Sequence, residues 1–174
     1  MNNKLNNDIK NKLLDLLAKD QEMRKNPNIS ISDVEEFDKK STEILKKIIK
    51  KIGWPTISKV GEEAAHAAWV ISQHTKDEDF LNECMLLMRK NIDDISKKDL
   101  AYIEDRVSLS KNGYQIYGTL VKSEEKNGKL ITELLPVKDL KNLNKLRSEM
   151  GLDSLEDQLK RCEEVYLMYL KDKK

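Results

Sequence analysis

The sequence predicts a mainly α fold of about seven helices around a central apolar helix, with one β-hairpin at about 114–137. Three observations carry this. Apolar residues recur at i, i+3, i+4 and i+7 through most of the 174 residues, the period of a helix with one buried face. The stretch Ile57 to Gln73 loses its polar face in its second half, as a helix enclosed by other elements does. Only the segment from Tyr114 to Val137 alternates with period two, around an Asn127-Gly128 turn dipeptide. No Pro-, Gly- or Ser-rich linker interrupts the chain, so one domain, 1–174, is expected.

Taken in order, the first helix is predicted from about Asp8 to Lys25 on Ile9, Leu13, Leu16 and Leu17, and it stops before Pro27. The second begins at Ser32 and Glu35, in capping-box spacing, and runs through Val34, Phe37, Ile44, Leu45 and Ile48 to Ile52, where Gly53 and Pro55 end it. The central helix, Ile57 to Gln73, carries Ala64, Ala65, Ala67, Ala68, Trp69, Val70 and Ile71. A fourth follows Asp77 on Phe80, Leu81, Cys84, Leu87 and Met88; a fifth starts between Ser96 and Asp99 and closes at Asn112-Gly113. The hairpin pairs Tyr114 to Val121 with Leu130 to Val137 across a Glu124-to-Gly128 loop, and needs helices to lie on. Two last helices cover about Leu140 to Met150, ended by Gly151, and Ser154 to Leu170, capped by Asp153 with Glu156, with Leu155, Leu159, Cys162, Tyr166 and Tyr169 inward.

Lys and Arg total 32 against 31 Asp and Glu, a formal charge of +1. A balanced chain has no electrostatic reason to bind nucleic acid or anionic lipid, and no segment is long and apolar enough to span a membrane. The N-terminal residues Met1 to Asn7 hold no apolar signal region, so a cytoplasmic location is expected. Cys84 and Cys162 belong to no Cys-x-x-Cys grouping and fall on apolar helix faces, which predicts buried free thiols.

The candidate chemistry lies where polar residues occupy inward positions. The stripe Leu13, Leu17 continues at helical spacing into Asp20 and Arg24; the alternative is an exposed i,i+4 ion pair. Asp38 lies on the inner side of the second helix and needs a partner there. His74 ends the apolar helix four residues after Val70, which makes it the candidate general acid/base; a histidine capping the helix C-terminus is the competing reading. Glu63-Ala64-Ala65-His66 has the Glu-x-x-His spacing of a carboxylate di-metal site, but the second copy that such a site needs is missing, so neither metal nor cofactor is expected. Asp105 and Arg106 are neighbours on one helix and must serve different partners. Arg106 suits a bidentate bond to an anionic group, or to Asp20 or Asp38. In a strand, Gln115, Tyr117 and Thr119 would share one face, and Gly118 would allow a close approach.

Asp20-Gln21 with Arg24, Gly53-Trp54-Pro55-Thr56 with Gly61, Gln73-His74 with Asp77, Asp105-Arg106, and Gln115 with Tyr117-Gly118-Thr119 form an ordered set of strings from about Leu13 to Leu152. In order and spacing the set resembles a family of bacterial proteins defined only as a domain of unknown function. That family's tyrosine-glycine-threonine string is usually followed by glutamine, where this chain has Leu120. The resemblance implies a shared polar site and no particular reaction.

The leading expectation is a small metal-free hydrolase. His74 would act as acid/base, oriented by Asp105 or Asp38. Arg24 and Arg106 would hold an anionic group, Trp54 and Tyr117 would wall the pocket, and Asp20, Gln21, Gln73, Gln115 and Thr119 would complete it. The partner is then a small anionic molecule. The competing expectation is a non-catalytic binding or immunity-type protein with a protein partner.

Overall fold

A computed structural model describes residues 2–126 and 129–171. It is mainly helical, with one two-stranded antiparallel hairpin. Its contacts group the chain into two compact units, 1–100 and 101–174.

In the first unit α1 (Asn2–Lys25) buries Ile9, Leu13, Leu16 and Leu17 as their spacing predicts, and Asp20 follows them into the interior. The second helix, α2 (Ile31–Ile52), is capped by Ser30, whose hydroxyl accepts the Asp33 amide. The expected Ser32–Glu35 box is thus displaced by two residues, because the chain leaving the Pro27 turn is already extended at Ser30. Gly53, at φ +71°, ends the helix as expected.

The expected Ile57-to-Gln73 helix is two helices. Gly61, at φ +85°, separates the single turn α3 (Ile57–Val60) from α4 (Glu62–His74); an L side chain rarely adopts that backbone, so the break is local and sequence-encoded. The central role survives the break, since α4 packs against α1, α2, α3 and α5 (Glu78–Lys90) with Ala64, Ala67, Ala68 and Ile71 buried. The small side chains of three of these four let helix axes approach. Asp77 caps α5 by accepting the Phe80 amide. After a 3-10 turn at Ile92–Asp94, the Ser96 hydroxyl accepts the Asp99 amide and starts α6 (Lys97–Asn112), inside which the boundary between the units falls.

In the second unit the hairpin is shorter than expected: β1 (Val121–Lys126) pairs with β2 (Lys129–Leu134) from Val121↔Leu134 to Lys126↔Lys129. Glu124 to Lys126, expected in the loop, are strand; the Asn127-Gly128 turn lies outside the described residues. Residues 114–120, expected as strand, form a loop with one isolated bridge, Gln115↔Val137. Gly118 at φ +63° forbids a regular strand there. After the hairpin come α7 (Leu143–Glu149) and α8 (Leu155–Lys171), and α8 packs on both strands. Ser154, not Asp153, caps α8, its hydroxyl accepting the Asp157 amide; Asp153 is taken by Arg147 and Arg161. Cys84 is buried and Cys162 half-buried, both as free thiols, and burial pushes the Cys84 thiol well above its usual range. The Tyr169 side chain lies outside the described ones.

Candidate functional site

Three helices of the first unit deliver charge to one place. On α1, Asp20 Oδ1 accepts from Arg24 Nε at 2.8 Å. Arg24 Nη2 donates across to Asp38 Oδ1 on α2 at 2.6 Å. From the last position of α4, His74 Nε2 lies 3.7 Å from the other oxygen, Oδ2, of Asp20. The inward acid thus has the partner it needs. Burial alone would weaken the Arg24 charge, but the bonds from Asp38 and Asp20 outweigh it and hold the guanidinium above its ordinary value. Of the carboxylates assigned to His74 from sequence, Asp38 belongs to this cluster through Arg24, while the one facing the ring is Asp20.

His74 and Asp38 open onto a cleft of about 530 Å3 between α2 and the turn that joins α4 to α5, within the range of small-molecule sites. Lys46 on α2 bonds Glu43 and crosses to Asp77 at 3.0 Å, and Lys76 in the turn reaches back to Glu35 at 2.8 Å. These two ion pairs tie the walls together. Lys39, which also lines the cleft, is the one lining lysine without an acidic partner among the described residues. Gln73, beside His74, keeps a buried Nε2 without a hydrogen-bond partner among them, whereas Gln21 is exposed.

Asp105, Gln115 and Thr119 meet in the second unit and do a different job. Asp105 is fully buried on α6. Its Oδ1 accepts the amides of Ile116 and Tyr117 at 2.7 and 2.8 Å, and its Oδ2 accepts the Thr119 amide and hydroxyl at 2.8 and 2.9 Å. Gln115 accepts from the Leu120 amide and donates to the Leu120 and Leu135 carbonyls. The loop's carbonyls are met by Arg147 Nη1, which donates to Tyr117 O at 2.8 Å, and by Gln158 Nε2, which donates to Thr119 O at 2.8 Å. A carboxylate that replaces the missing strand partner for four donors is saturated, which is the signature of a structural staple. At Gly118 an added Cβ would stand 3.2 Å from both Leu134 and Leu143 side chains, the close approach expected of that glycine. Arg106 and Tyr117 are half-buried neighbours of this staple along the chain.

Sequence reasoning missed two arrangements. Arg147 is a fully buried guanidinium that also bonds Asp153 O and Gln158 Oε1; burial holds its pKa below the ordinary value, against the pull of Asp153. The signal was present, because Arg147 falls between Leu143 and Met150 at i+4 and i+7, a position where an apolar residue is expected. The other is His66, whose Nδ1 lies 2.9 Å from Asp99 Oδ2, with the ring stacked on Trp69 at 5.0 Å. Burial raises the Asp99 pKa against the opposing His66 and Ser96 bonds. That pair borders a hollow of only about 10 Å3, shared with Trp54, too small for any ligand larger than a water. Trp54 itself is 1% exposed and is a core residue. Among the described residues no three His, Cys, Asp or Glu side chains converge as metal ligands would, and no helix is long and apolar enough to cross a membrane.

No curated protein and no solved structure matches the chain. Residues 8–171 match the family of unknown function DUF6624, and the chain belongs to it.

Proposed function

We propose that this member of DUF6624 is a small cytoplasmic hydrolase whose reaction centre is the His74 end of the α2–α4 cleft. The observation that carries the reading is the imidazole at the wall of a roughly 530 Å3 cleft, 3.7 Å from a buried carboxylate that Arg24 holds in place. Asp20 orients the ring and offers a counter-charge when it takes up a proton. His74 then draws a proton from a water attacking a carbonyl or phosphoryl centre and returns it to the leaving group. Arg24 acts on Asp20 and Asp38, so its charge is already matched; Lys39 is the cation that would receive an anionic substrate group. Of the strings singled out in the sequence, Asp20, Arg24 and His74 meet at the cleft end, whereas Asp105, Gln115 and Thr119 shape the loop.

One observation favours a second reading, a non-catalytic binding protein: 3.7 Å is longer than a hydrogen bond, so the ring is not fixed by Asp20 as a dyad would fix it. Incubation with carboxyl-ester, amide and phosphoester substrates separates the two. A hydrolase cleaves one class and loses roughly a hundredfold in kcat on Asp20→Asn, within the usual range for a general acid/base contribution. Tight binding without turnover supports the second reading and removes the first.

A further inference from the structure

The side of α2 that lines the cleft carries Glu35, Lys39, Thr42, Glu43 and Lys46, spaced three and four residues apart and so neighbours on successive turns. Lys39 has a glutamate one turn before it and another one turn after it, yet among the described residues it bonds neither. Glu35 is taken by Lys76 at 2.8 Å and Glu43 by Lys46 at 3.0 Å. The other lining acids are matched as well, Glu36 by Lys40, Asp38 by Arg24 and Asp77 by Lys46. One turn on from Lys39, Thr42 is 5% exposed and lines the cleft, and its hydroxyl has no hydrogen-bond partner among the described residues. A buried hydroxyl is expected to be bonded; this one stands beside an unmatched ammonium.

One ammonium and one hydroxyl serve the two oxygens of a carboxylate, with one positive charge against one negative. A phosphate monoester brings a second negative charge, which would face Glu35 and Glu43 on either side of Lys39. Phosphate sites also draw on the open amides of a helix N-terminus. The two helices that begin beside the cleft have their own caps: Ser30 accepts the Asp33 amide on α2, and Asp77 the Phe80 amide on α5. We propose that Lys39 and Thr42 form a carboxylate subsite, so that the molecule taken by the cleft is a small monocarboxylate; under the hydrolase reading, on which this last step rests, the substrate is an amide or ester bearing that carboxylate. Water then adds its hydroxyl to the acyl carbon and its proton to the departing amine or alcohol, and no co-reactant is needed.

Amide NMR titration of the full chain with N-acetylglycine, N-acetylglycinamide and phenyl phosphate reads binding apart from turnover. N-acetylglycine should shift the Lys39 and Thr42 amides and bind roughly thirtyfold tighter than its neutral amide, the worth of a bond to a charged group. That margin should vanish in Lys39→Gln, persist in Lys39→Arg and shrink in Thr42→Val. Lys39 is exposed, so its variants read binding whatever Thr42→Val does to folding. Binding at these residues without turnover of an amide, ester or phosphoester supports the subsite and removes the hydrolase reading. Phenyl phosphate bound more tightly than N-acetylglycine, equal binding of acid and amide, or a margin indifferent to Lys39→Gln overturns the proposal even where hydrolysis is seen. So does N-acetylglycine that shifts neither amide.

Discussion

Replacing Asp105 by Ala removes the acceptor of four hydrogen bonds at once. Both bonds from Thr119 are buried, and at about 2 kcal/mol for a bond to a charged acceptor they set a floor near 4 kcal/mol. Ile116 and Tyr117 are half-buried, so water replaces part of what their amides lose and they add less. Against a typical global stability of roughly 5–15 kcal/mol, such a loss leaves the loop unfolded or the second unit marginal. Asp105→Asn separates charge from shape. Its amide oxygen still serves one pair of donors while its NH2 faces the other pair, so its cost should fall between wild type and Ala. Urea denaturation followed by far-UV circular dichroism measures the loss, and hydrogen exchange of the Ile116, Tyr117 and Thr119 amides locates it. A loss below about 1 kcal/mol would refute the staple, since a single bond to a charged acceptor exceeds that. Slow exchange of those amides in the Ala variant would do the same.

Trp54→Ala should cost on the order of 3 kcal/mol, because the indole is 1% exposed in the core of the first unit; a denaturant melt shifted by less than 1 kcal/mol would return Trp54 to the surface. Arg147→Leu takes the donor from the Tyr117 and Asp153 carbonyls, while the Gly118 carbonyl keeps Gln158 Nε2, and a loss of about 3 kcal/mol is expected in the same assay. Asp77→Ala removes the α5 cap for about 1 kcal/mol. The Phe80 amide, then Lys46, hold the Asp77 pKa below 3.8, so its contribution is present above pH 3.8 and is lost as the pH falls through the depressed folded value. The difference in melting temperature between wild type and Asp77→Ala should therefore close in acid; a constant difference would contradict the cap's ionised state.

The fold was legible wherever one face of an element is apolar. Ile9, Leu13, Leu16 and Leu17 specify α1, and the alanine-rich stretch specifies the helix the first unit packs around. What misled was local backbone chemistry. Gly61 sits inside a run whose apolar spacing continues on both sides, so periodicity does not register the break. The alternation of residues 114–120 has the period of a strand, but the partner that satisfies their backbone is a carboxylate on α6 and a guanidinium on α7, and neither has a β signature. Within the candidate site, the clustering of Asp20, Arg24, Asp38 and His74 was legible because polar residues on apolar stripes need one another. The role of Asp105 was not, since a buried carboxylate looks the same in sequence whether it orients a histidine or folds a loop.

The claim that His74 is the working acid/base is tested most directly by comparing kcat/KM of His74→Gln and His66→Gln with wild type, on whichever ester, amide or phosphoester the protein cleaves. His74→Gln should fall roughly a hundredfold with an unchanged melting temperature, and His66→Gln, beside a hollow of about 10 Å3, should retain nearly full activity. The reverse order, equal activity in both variants, or a wild-type protein that cleaves none of the three classes would contradict the account.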